Sequence, residues 1–268
     1  MAKIHRTITA GPLVIEAVYP QVSRWDSRSV RAGKHQQSSE AQRRMNMKYA
    51  YQKLELLIAA NFRTGDIWAT FTYDDDHLPQ SRRQAIRKMN SFLTRLRAKR
   101  KLKAVEVVCI YNTEHKTDTG DRLHHHVLLN DVGEQYGDIQ KVWHQGFIKF
   151  TEGGVKFDRD HTYEAIARYL TKEERDKVGD RLWCGTRNLK RPVRECHRVP
   201  NDTPLAPPEQ SDVLDDTGDT RTVFGHYRYI KYVLHNQWGS WDMPKPKAKR
   251  KPKAKPKAKP KRRTKQTK

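Results

Sequence analysis

The sequence has few cysteines and no long apolar segment. Its three cysteines, Cys109, Cys184 and Cys196, are too few and too scattered for a disulfide framework, which favours a reducing compartment. Zinc binding by Cys184, Cys196 and His197 is disfavoured because the sequence contains no tight Cys-x-x-Cys pair. No apolar run has the length of a membrane span or of a signal peptide. We therefore expect a soluble, cytoplasmic protein that has no membrane partner.

Acidic residues are also scarce, since 31 Asp and Glu accompany 54 Lys and Arg in a chain of 268 residues. The resulting net charge of +23 predicts a polyanionic partner, most commonly nucleic acid. Fourteen of the basic residues, among them Lys251 and Arg262, lie in residues 244–268, where Pro and Lys alternate without any acid. This composition predicts a disordered tail that binds DNA phosphates. A solubilising tail or a localisation signal is the alternative.

The rest of the sequence alternates between strand and helix patterns. We predict a leader over residues 1–39, with one short strand from Leu13 and a basic loop, and then a single domain over residues 40–236. A helix from Glu40 is expected to place several apolar residues on one buried stripe, namely Met45, Tyr49, Leu54, Leu57 and Ile58.

Basic residues in two segments are candidates for phosphate contacts. The first segment is a second helix, which carries six arginines between Arg82 and Arg100. The other is the segment GTRNLKRP, with Arg187, Lys190 and Arg191. A solvated helix face is the alternative for the helix, and a structural clamp is the alternative for GTRNLKRP.

The segment RLHHHVLLN predicts the second arm of a β-hairpin whose first arm is AVEVVCIYNTE. Because strand side chains alternate, His124 and His126 share one face and His125 points to the other. Glu114 on the first arm is expected to join the two imidazoles. A nitrogen and oxygen ligand set without thiolates suits Mg²⁺ or Mn²⁺ acting on phosphates. Ordinary polar strand residues are the alternative, and His115 would replace Glu114 if the register slipped by one.

A helix from Tyr163 adds a candidate nucleophile. Tyr169 and Lys172 are three residues apart and therefore share a helical face. A phenol beside a divalent metal ion can attack a phosphodiester, and a nearby ammonium can lower the pKa of the phenol or neutralise charge on the phosphate. Taken alone, the Tyr-x-x-Lys pattern is more typical of an amphipathic helix with a solvent-facing lysine.

Together these segments resemble the HUH endonucleases, and most of all the rolling-circle replication initiators of bacterial plasmids and phages. FTYDDDHLP resembles the first motif of that family, RLHHHVLLN its metal motif and YLTK its catalytic motif, in the same order along the chain. GDIWATFTY with the preceding NF, VWHQG and GTRNLKRP are also similar to bacterial replication-associated proteins. The resemblance covers most of residues 13–235. His125 departs from the family pattern, because the middle residue of the metal motif is usually hydrophobic.

The resemblance implies an α+β fold with a central, mainly antiparallel β-sheet flanked by helices, as in an RRM-like palm, and a metal hairpin beneath the tyrosine helix. It implies that His124 and His126, with Glu114 as third ligand, hold a metal ion against the scissile phosphate of single-stranded DNA at a replication origin. Tyr169 would attack, form a 5′-phosphotyrosyl link and release a 3′-OH that primes synthesis. Tyr163, six residues earlier, is predicted to lie in the core. No GxxxxGK[ST] loop is present, so a helicase and a polymerase of the host or element are expected partners.

Two other functions remain as alternatives. A single-tyrosine transposase would use the same chemistry, although such proteins are usually shorter and lack the long leader and basic tail. A non-catalytic nucleic-acid-binding protein would contain only structural histidines and would take its affinity from the tail. A covalent DNA adduct that requires metal and Tyr169 distinguishes the enzyme from the binding protein.

Overall fold

The computed structural model describes residues 3–21, 40–101, 106–115, 122–131, 136–155, 163–172, 181–214, 217–222 and 225–235. In these ranges the helices are α1 (Glu40–Ala59), α2 (Arg82–Lys101), α3 (Tyr136–Trp143) and α4 (Tyr163–Leu170). The strands are β1 (Lys3–Ala10), β2 (Leu13–Pro20), β3 (Ile67–Thr72), β4 (Cys109–Glu114), β5 (His124–Leu129), β6 (Ile148–Phe150), β7 (Cys184–Gly185), β8 (Val193–Val199), β9 (Ser211–Val213), β10 (Gly218–Thr222) and β11 (Gly225–Leu234). The basic loop predicted before α1 and the tail with Lys251 and Arg262 lie outside the described ranges.

Five strands form one antiparallel sheet, here called the histidine sheet, in the order β6-β3-β5-β4-β7. Its central strand β5 is buried along its whole length. One face packs against α2 and α3 around the rings of Phe71, Phe92 and Trp143, whose centroids lie 5.0 to 5.6 Å apart. The other face carries Ile110 and Leu128, which pack with residues of α1 and α4. Helices on both sides explain why β5 can be apolar on two faces.

The remaining strands form a second sheet, here called the terminal sheet, in the order β10-β11-β2-β1-β8, with β9 paired to β11. All of its pairings are antiparallel. The α+β class and the mainly antiparallel strands are therefore confirmed, but the strands are divided between two sheets. The prediction of one short strand before α1 is incomplete, because β1 and β2 form a hairpin that pairs with β8 and β11 from the other end of the chain.

Only the second half of α1 is buried. Leu54 and Ile58 are fully buried, whereas Met45 and Tyr49 are 45% and 61% exposed. The predicted continuous stripe is therefore wrong for its first two members, since the part of α1 before about Ala50 extends beyond the core. No helix in the described ranges is both long enough and apolar enough to cross a membrane.

Candidate functional site

The histidine sheet brings Glu114, His124 and His126 together on one face. Glu114 pairs directly with His124 in the β4–β5 register, and Asn112 pairs with His126. The Nε2 atoms of the two histidines lie 3.1 Å apart, and Glu114 Oε2 lies 3.7 Å from His124 Nε2 and 3.4 Å from His126 Nε2. The side chains of all three residues are more than 90% buried. The predicted register is thus the one that the structure has.

These three atoms have the spacing of ligands around one metal ion. Two ligands that each lie about 2.1 Å from an ion are about 3.0 to 3.4 Å apart at angles between 90° and the tetrahedral angle. The observed separations of 3.1 to 3.7 Å fit a set that contracts slightly around an ion. Glu114, His124 and His126 are the group of metal-binding side chains found among the described residues. The cluster could therefore bind a metal ion.

Hydrogen bonds on the far side of each imidazole orient it toward this centre. His124 Nδ1 donates to the carbonyl oxygen of Arg122 at 3.1 Å, which leaves Nε2 of the neutral ring with its lone pair. His126 Nδ1 lies 3.2 Å from Thr70 Oγ1, on the neighbouring strand β3. Such partners fix the tautomer and direction of metal-binding histidines.

Glu114 is held by Asn112, two residues earlier on the same face of β4. Asn112 Nδ2 donates to Glu114 Oε1 at 2.8 Å. Burial alone would raise the pKa of Glu114, but hydrogen bonds from His126 and Asn112 and the nearby charges of His126 and Lys172 lower this pKa to about 2. The carboxylate is consequently ionised at neutral pH, as a metal ligand must be.

Tyr169 and Lys172 reach the same cluster from the end of α4. The phenol oxygen of Tyr169 lies 3.0 Å from His126 Nε2, and the tyrosine is 38% exposed. Lys172 Nζ lies 3.3 Å from Glu114 Oε2 and 3.9 Å from the centre of the Tyr169 ring. Burial would lower the pKa of Lys172, but the charge of Glu114 raises it above its usual value. Lys172 is therefore a cation beside the phenol, and all five residues predicted for metal binding and catalysis meet in one place.

Several contacts fix α4 in this position. Asn112 Nδ2, which also binds Glu114, donates to the carbonyl of Leu170 at 3.3 Å. Tyr163 is buried in the core, as the sequence predicts, and burial raises the pKa of its phenol. Lys231 of β11 is buried and contacts Glu164 of α4 at 3.3 Å and Glu55 of α1 at 2.7 Å. Helix α4 is thus attached to both sheets.

His125 lies on the opposite face and contributes to the core. Its Nε2 is 2.6 Å from the hydroxyl of Tyr73, and its Nδ1 is 2.9 Å from that of Thr113. Burial lowers the pKa of His125 to about 3, so this ring is neutral. His115, the other candidate ligand, follows Glu114 and is exposed.

The segments that resemble the family's first motif and VWHQG support the hairpin from below. Arg122 joins the first motif to β5, because its guanidinium donates to the Tyr73 carbonyl at 2.7 Å and contacts Asp75 at 2.8 Å. Trp143 Nε1 donates to the carbonyl of Thr72 at 3.0 Å. Gly146 has a φ of 145°, and a Cβ there would lie 2.4 Å from that same carbonyl oxygen. Only glycine fits this approach.

GTRNLKRP makes the contacts of a structural clamp. Thr186 exchanges hydrogen bonds with the backbone of Cys109, and the backbone of Lys190 is bound on both sides by the amide of Asn61. Arg187 lines a groove of about 780 Å³ with Arg97 and Lys101, on the α2 side of the histidine sheet. Arg187 and Arg191 are exposed and Lys190 is half-buried, so the first two remain accessible to phosphates.

Arg100 of α2 differs from its arginine neighbours. It is buried and donates to the side-chain oxygen of Asn130 at 2.9 Å and to its carbonyl at 3.3 Å. The interpretation of Arg100 as a residue that tracks phosphates is therefore wrong.

Three site residues escape the sequence analysis. Asn112 could have been found, because it lies two residues before Glu114 on the same strand face. Thr70 and Trp68 could not, because their positions depend on the pairing of β3 with β5. The Trp68 ring stacks against His126 at 6.0 Å and meets Tyr169 edge-on at 5.9 Å, so it forms one wall of the site.

Comparison with known families adds one independent finding. The model of a family of replication-associated proteins, described by the name ORF2, matches residues 66–174. This segment runs from just before β3 to just beyond α4 and includes the cluster, Tyr169 and Lys172. No curated protein and no solved structure matches the chain. The family match supports a replication-associated protein.

Proposed function

We propose that the protein is a metal-dependent, site-specific endonuclease and strand transferase for single-stranded DNA, which initiates rolling-circle replication. The observation that carries this proposal is the 3.0 Å distance between the Tyr169 phenol and His126 Nε2, within the Glu114, His124 and His126 cluster. A nucleophile, a cation and a metal-binding set within one small volume are the components that phosphodiester transfer requires. The non-catalytic alternative gives no reason for a half-exposed phenol beside a buried ligand set.

Each residue has a defined role in this reaction. Glu114, His124 and His126 would hold Mg²⁺ or Mn²⁺, which supplies Lewis-acid polarisation of a phosphate oxygen. Lys172, as a cation, stabilises the ionised phenol of Tyr169 and the charge that develops on the phosphate. Trp68 limits the motion of the phenol and of the His126 ring.

The chemical step is a transesterification. The Tyr169 oxygen loses its proton to water and bonds to the phosphorus, while the bond from phosphorus to the 3′ oxygen breaks. The 3′ oxygen takes a proton from water and leaves as a 3′-OH, and the protein stays on the 5′ end through a phosphotyrosyl bond. No oxidant or external energy source is needed, because one phosphodiester replaces another. Attack by a 3′-OH on the phosphotyrosine reverses the step and rejoins strands.

A nick of this kind suits replication, because the free 3′-OH is a primer for a polymerase. The replication-associated family match supports this use of the reaction. The substrate is then single-stranded DNA at a replication origin of a bacterial, plasmid or phage genome, and the working compartment is the bacterial cytoplasm. A separate helicase and a polymerase would act with the protein. Contacts to phosphates are assigned to the basic residues Arg187, Lys190, Arg191, Lys251 and Arg262.

The test is a covalent adduct on a denaturing gel. Purified protein is incubated with Mn²⁺ or Mg²⁺ and with single-stranded oligonucleotides that tile the intergenic DNA of its own genetic element. We expect a band that resists denaturation, requires metal and is absent in Tyr169→Phe. Tyr163→Phe is the matched control, because it removes one hydroxyl from the same helix but from a buried side chain. That variant should retain the adduct.

Three results would change the assignment. An adduct that survives Tyr169→Phe and disappears in Tyr163→Phe would move the nucleophile. An adduct that chelators do not reduce would remove the metal from the mechanism. Tight binding without any adduct, on DNA shown to include the origin, would leave the non-catalytic binding protein as the better function.

A further inference from the structure

The terminal sheet carries a row of tyrosines on one face, away from the cluster of metal-binding residues. The rings of Tyr19 and Tyr227 have centroids 5.9 Å apart, and those of Tyr227 and Tyr229 are 5.8 Å apart. The guanidinium of Arg6 lies 5.4 Å from the centre of the Tyr19 ring. All four side chains are half-buried, so part of each ring remains accessible. We call these four residues the tyrosine row.

Charge on the two faces of the terminal sheet is segregated. In the register of β10, β11, β2, β1 and β8, Arg194 and Arg198 share the face of the tyrosine row with Arg6. The acidic residues of these five strands all point to the other face, and they are Glu16, Glu195 and Asp219. The face of the tyrosine row is thus positive as well as aromatic.

A glycine keeps the last ring of the row in place. Gly218 pairs with Tyr229 across β10 and β11. A Cβ on Gly218 would lie 2.3 Å from Tyr229 Cε1, so the ring lies across the backbone at that point. Any side chain at Gly218 would displace the Tyr229 ring.

The row is also connected to the helix that carries Tyr169. Lys231 follows Tyr229 on the same face of β11, and its ammonium contacts Glu164 of α4 at 3.3 Å. Along this face of β11 the tyrosines therefore lead to Lys231 and, through it, to α4.

We propose that the tyrosine row is a binding platform for the bases of single-stranded DNA, distinct from the site of strand cleavage. Exposed aromatic rings next to cations on a sheet surface bind single strands, because every base has a face that can stack and every linkage has a phosphate charge. Duplex DNA does not fit, since its bases are already stacked with each other. The inference rests on the proposed function for the choice of DNA and for the role of the strand as substrate.

The experiment measures binding apart from catalysis. The full-length chain with Tyr169→Phe is titrated, in the presence of a chelator, into a labelled oligothymidine of about 15 nucleotides, and fluorescence anisotropy gives the Kd. We expect Tyr19→Leu and Tyr227→Leu each to weaken binding about tenfold, as loss of one stacked base does. Gly218→Ala should also weaken binding, although it removes no aromatic ring. Binding to duplex DNA of the same length should not change.

Matched controls separate this platform from general loss of charge or structure. Tyr136→Leu removes a tyrosine of similar exposure that stacks on Phe150, at 4.5 Å, in the region of α3 and β6. It should leave the Kd unchanged. Arg6→Gln should reduce the salt dependence of binding by about one counterion, whereas Arg221→Gln, on the opposite face of the terminal sheet, should not. Thermal melting confirms that each variant is folded.

Unchanged affinity in the folded Tyr19→Leu and Tyr227→Leu variants would overturn the inference, as would an equal loss for duplex DNA. Tyrosine-dependent binding of oligouridine with no such binding of oligothymidine would assign the row to RNA instead. Neither result bears on the adduct formed by the wild-type chain, so the platform and the nickase stand or fall separately.

Discussion

Asn112 offers a decisive test of the candidate metal site, because it contacts Glu114 without being a ligand itself. The change Asn112→Leu keeps the side-chain shape and removes both hydrogen bonds, to Glu114 Oε1 at 2.8 Å and to the Leu170 carbonyl at 3.3 Å. We expect the affinity for Mn²⁺ to fall about 10- to 100-fold, which is the usual cost of losing a residue that orients a metal ligand.

The effect on folding should be smaller than the effect on the metal. Loss of the bond to an ionised carboxylate costs about 1.5 to 3 kcal/mol, and the longer bond to Leu170 costs about 0.5 to 1.5 kcal/mol. Against this, the Oδ1 atom of Asn112 is buried without a hydrogen-bond partner, and leucine removes that penalty of about 1 to 3 kcal/mol. The terms largely cancel, so we expect a net loss of stability of about 1 kcal/mol.

Isothermal titration with Mn²⁺ measures the affinity, and urea unfolding measures the stability. Thr113→Val is the matched control, because it removes a buried hydrogen bond, to His125 at 2.9 Å, from the other face of the same strand. Thr113→Val should lose stability but keep its Mn²⁺ affinity. If folded Asn112→Leu bound Mn²⁺ as tightly as wild type, Glu114 would not be a ligand oriented by Asn112, and the site would have to be reassigned.

Three further outcomes are expected. Gly146→Ala should lose more than about 2 kcal/mol in urea unfolding, because its Cβ meets the Thr72 carbonyl, whereas Gly137→Ala on α3, where nothing lies within 4 Å, should gain about 0.5 to 1 kcal/mol. His125→Leu should fold with a loss of about 1 to 2 kcal/mol and unchanged Mn²⁺ titration, and loss of Mn²⁺ binding would show that this ring belongs to the site. The pKa of Glu164 is lowered, since hydrogen bonds and charges of its cationic partners outweigh burial, so wild type should lose stability relative to Glu164→Gln as the pH falls below about 4.5; equal urea midpoints at pH 7 and pH 3 would refute this.

Local spacing is enough to predict the cluster but not its surroundings. Glu114 and His124 are joined by a short connection, so hairpin pairing and side-chain alternation bring them together. Thr70 and Trp68 reach the same face only because β3 pairs with the far side of β5, a contact across more than fifty residues. No local pattern records such a pairing, and for the same reason the sequence does not predict β1 as a partner of β8.

Exposed aromatic residues limit the prediction in the other direction. Tyr49 and Met45 have the spacing of a buried helical stripe, yet they lie where α1 has passed the end of the core. Periodicity reports which side a helix would bury but not how far along its length a partner surface extends. In the terminal sheet, likewise, the tyrosine row becomes visible only when three strands from both ends of the chain are paired.

The three consecutive histidines are explained by the need to hold β5 in register. A slip of one residue would turn His125 toward Glu114 and would send His124 and His126 into the core. That core offers hydroxyls at the position of a single ring, from Tyr73 and Thr113, and it already surrounds His125 with the rings of Tyr111 and Trp143. The slip would leave a second imidazole buried without partners, at about 1 to 3 kcal/mol for each lost polar contact, in addition to the misplaced apolar residues. A hydrophobic residue at the middle position would pack there, but it would not distinguish the two registers by hydrogen bonding. His125 therefore stabilises the one register in which the two outer rings face Glu114 and Tyr169.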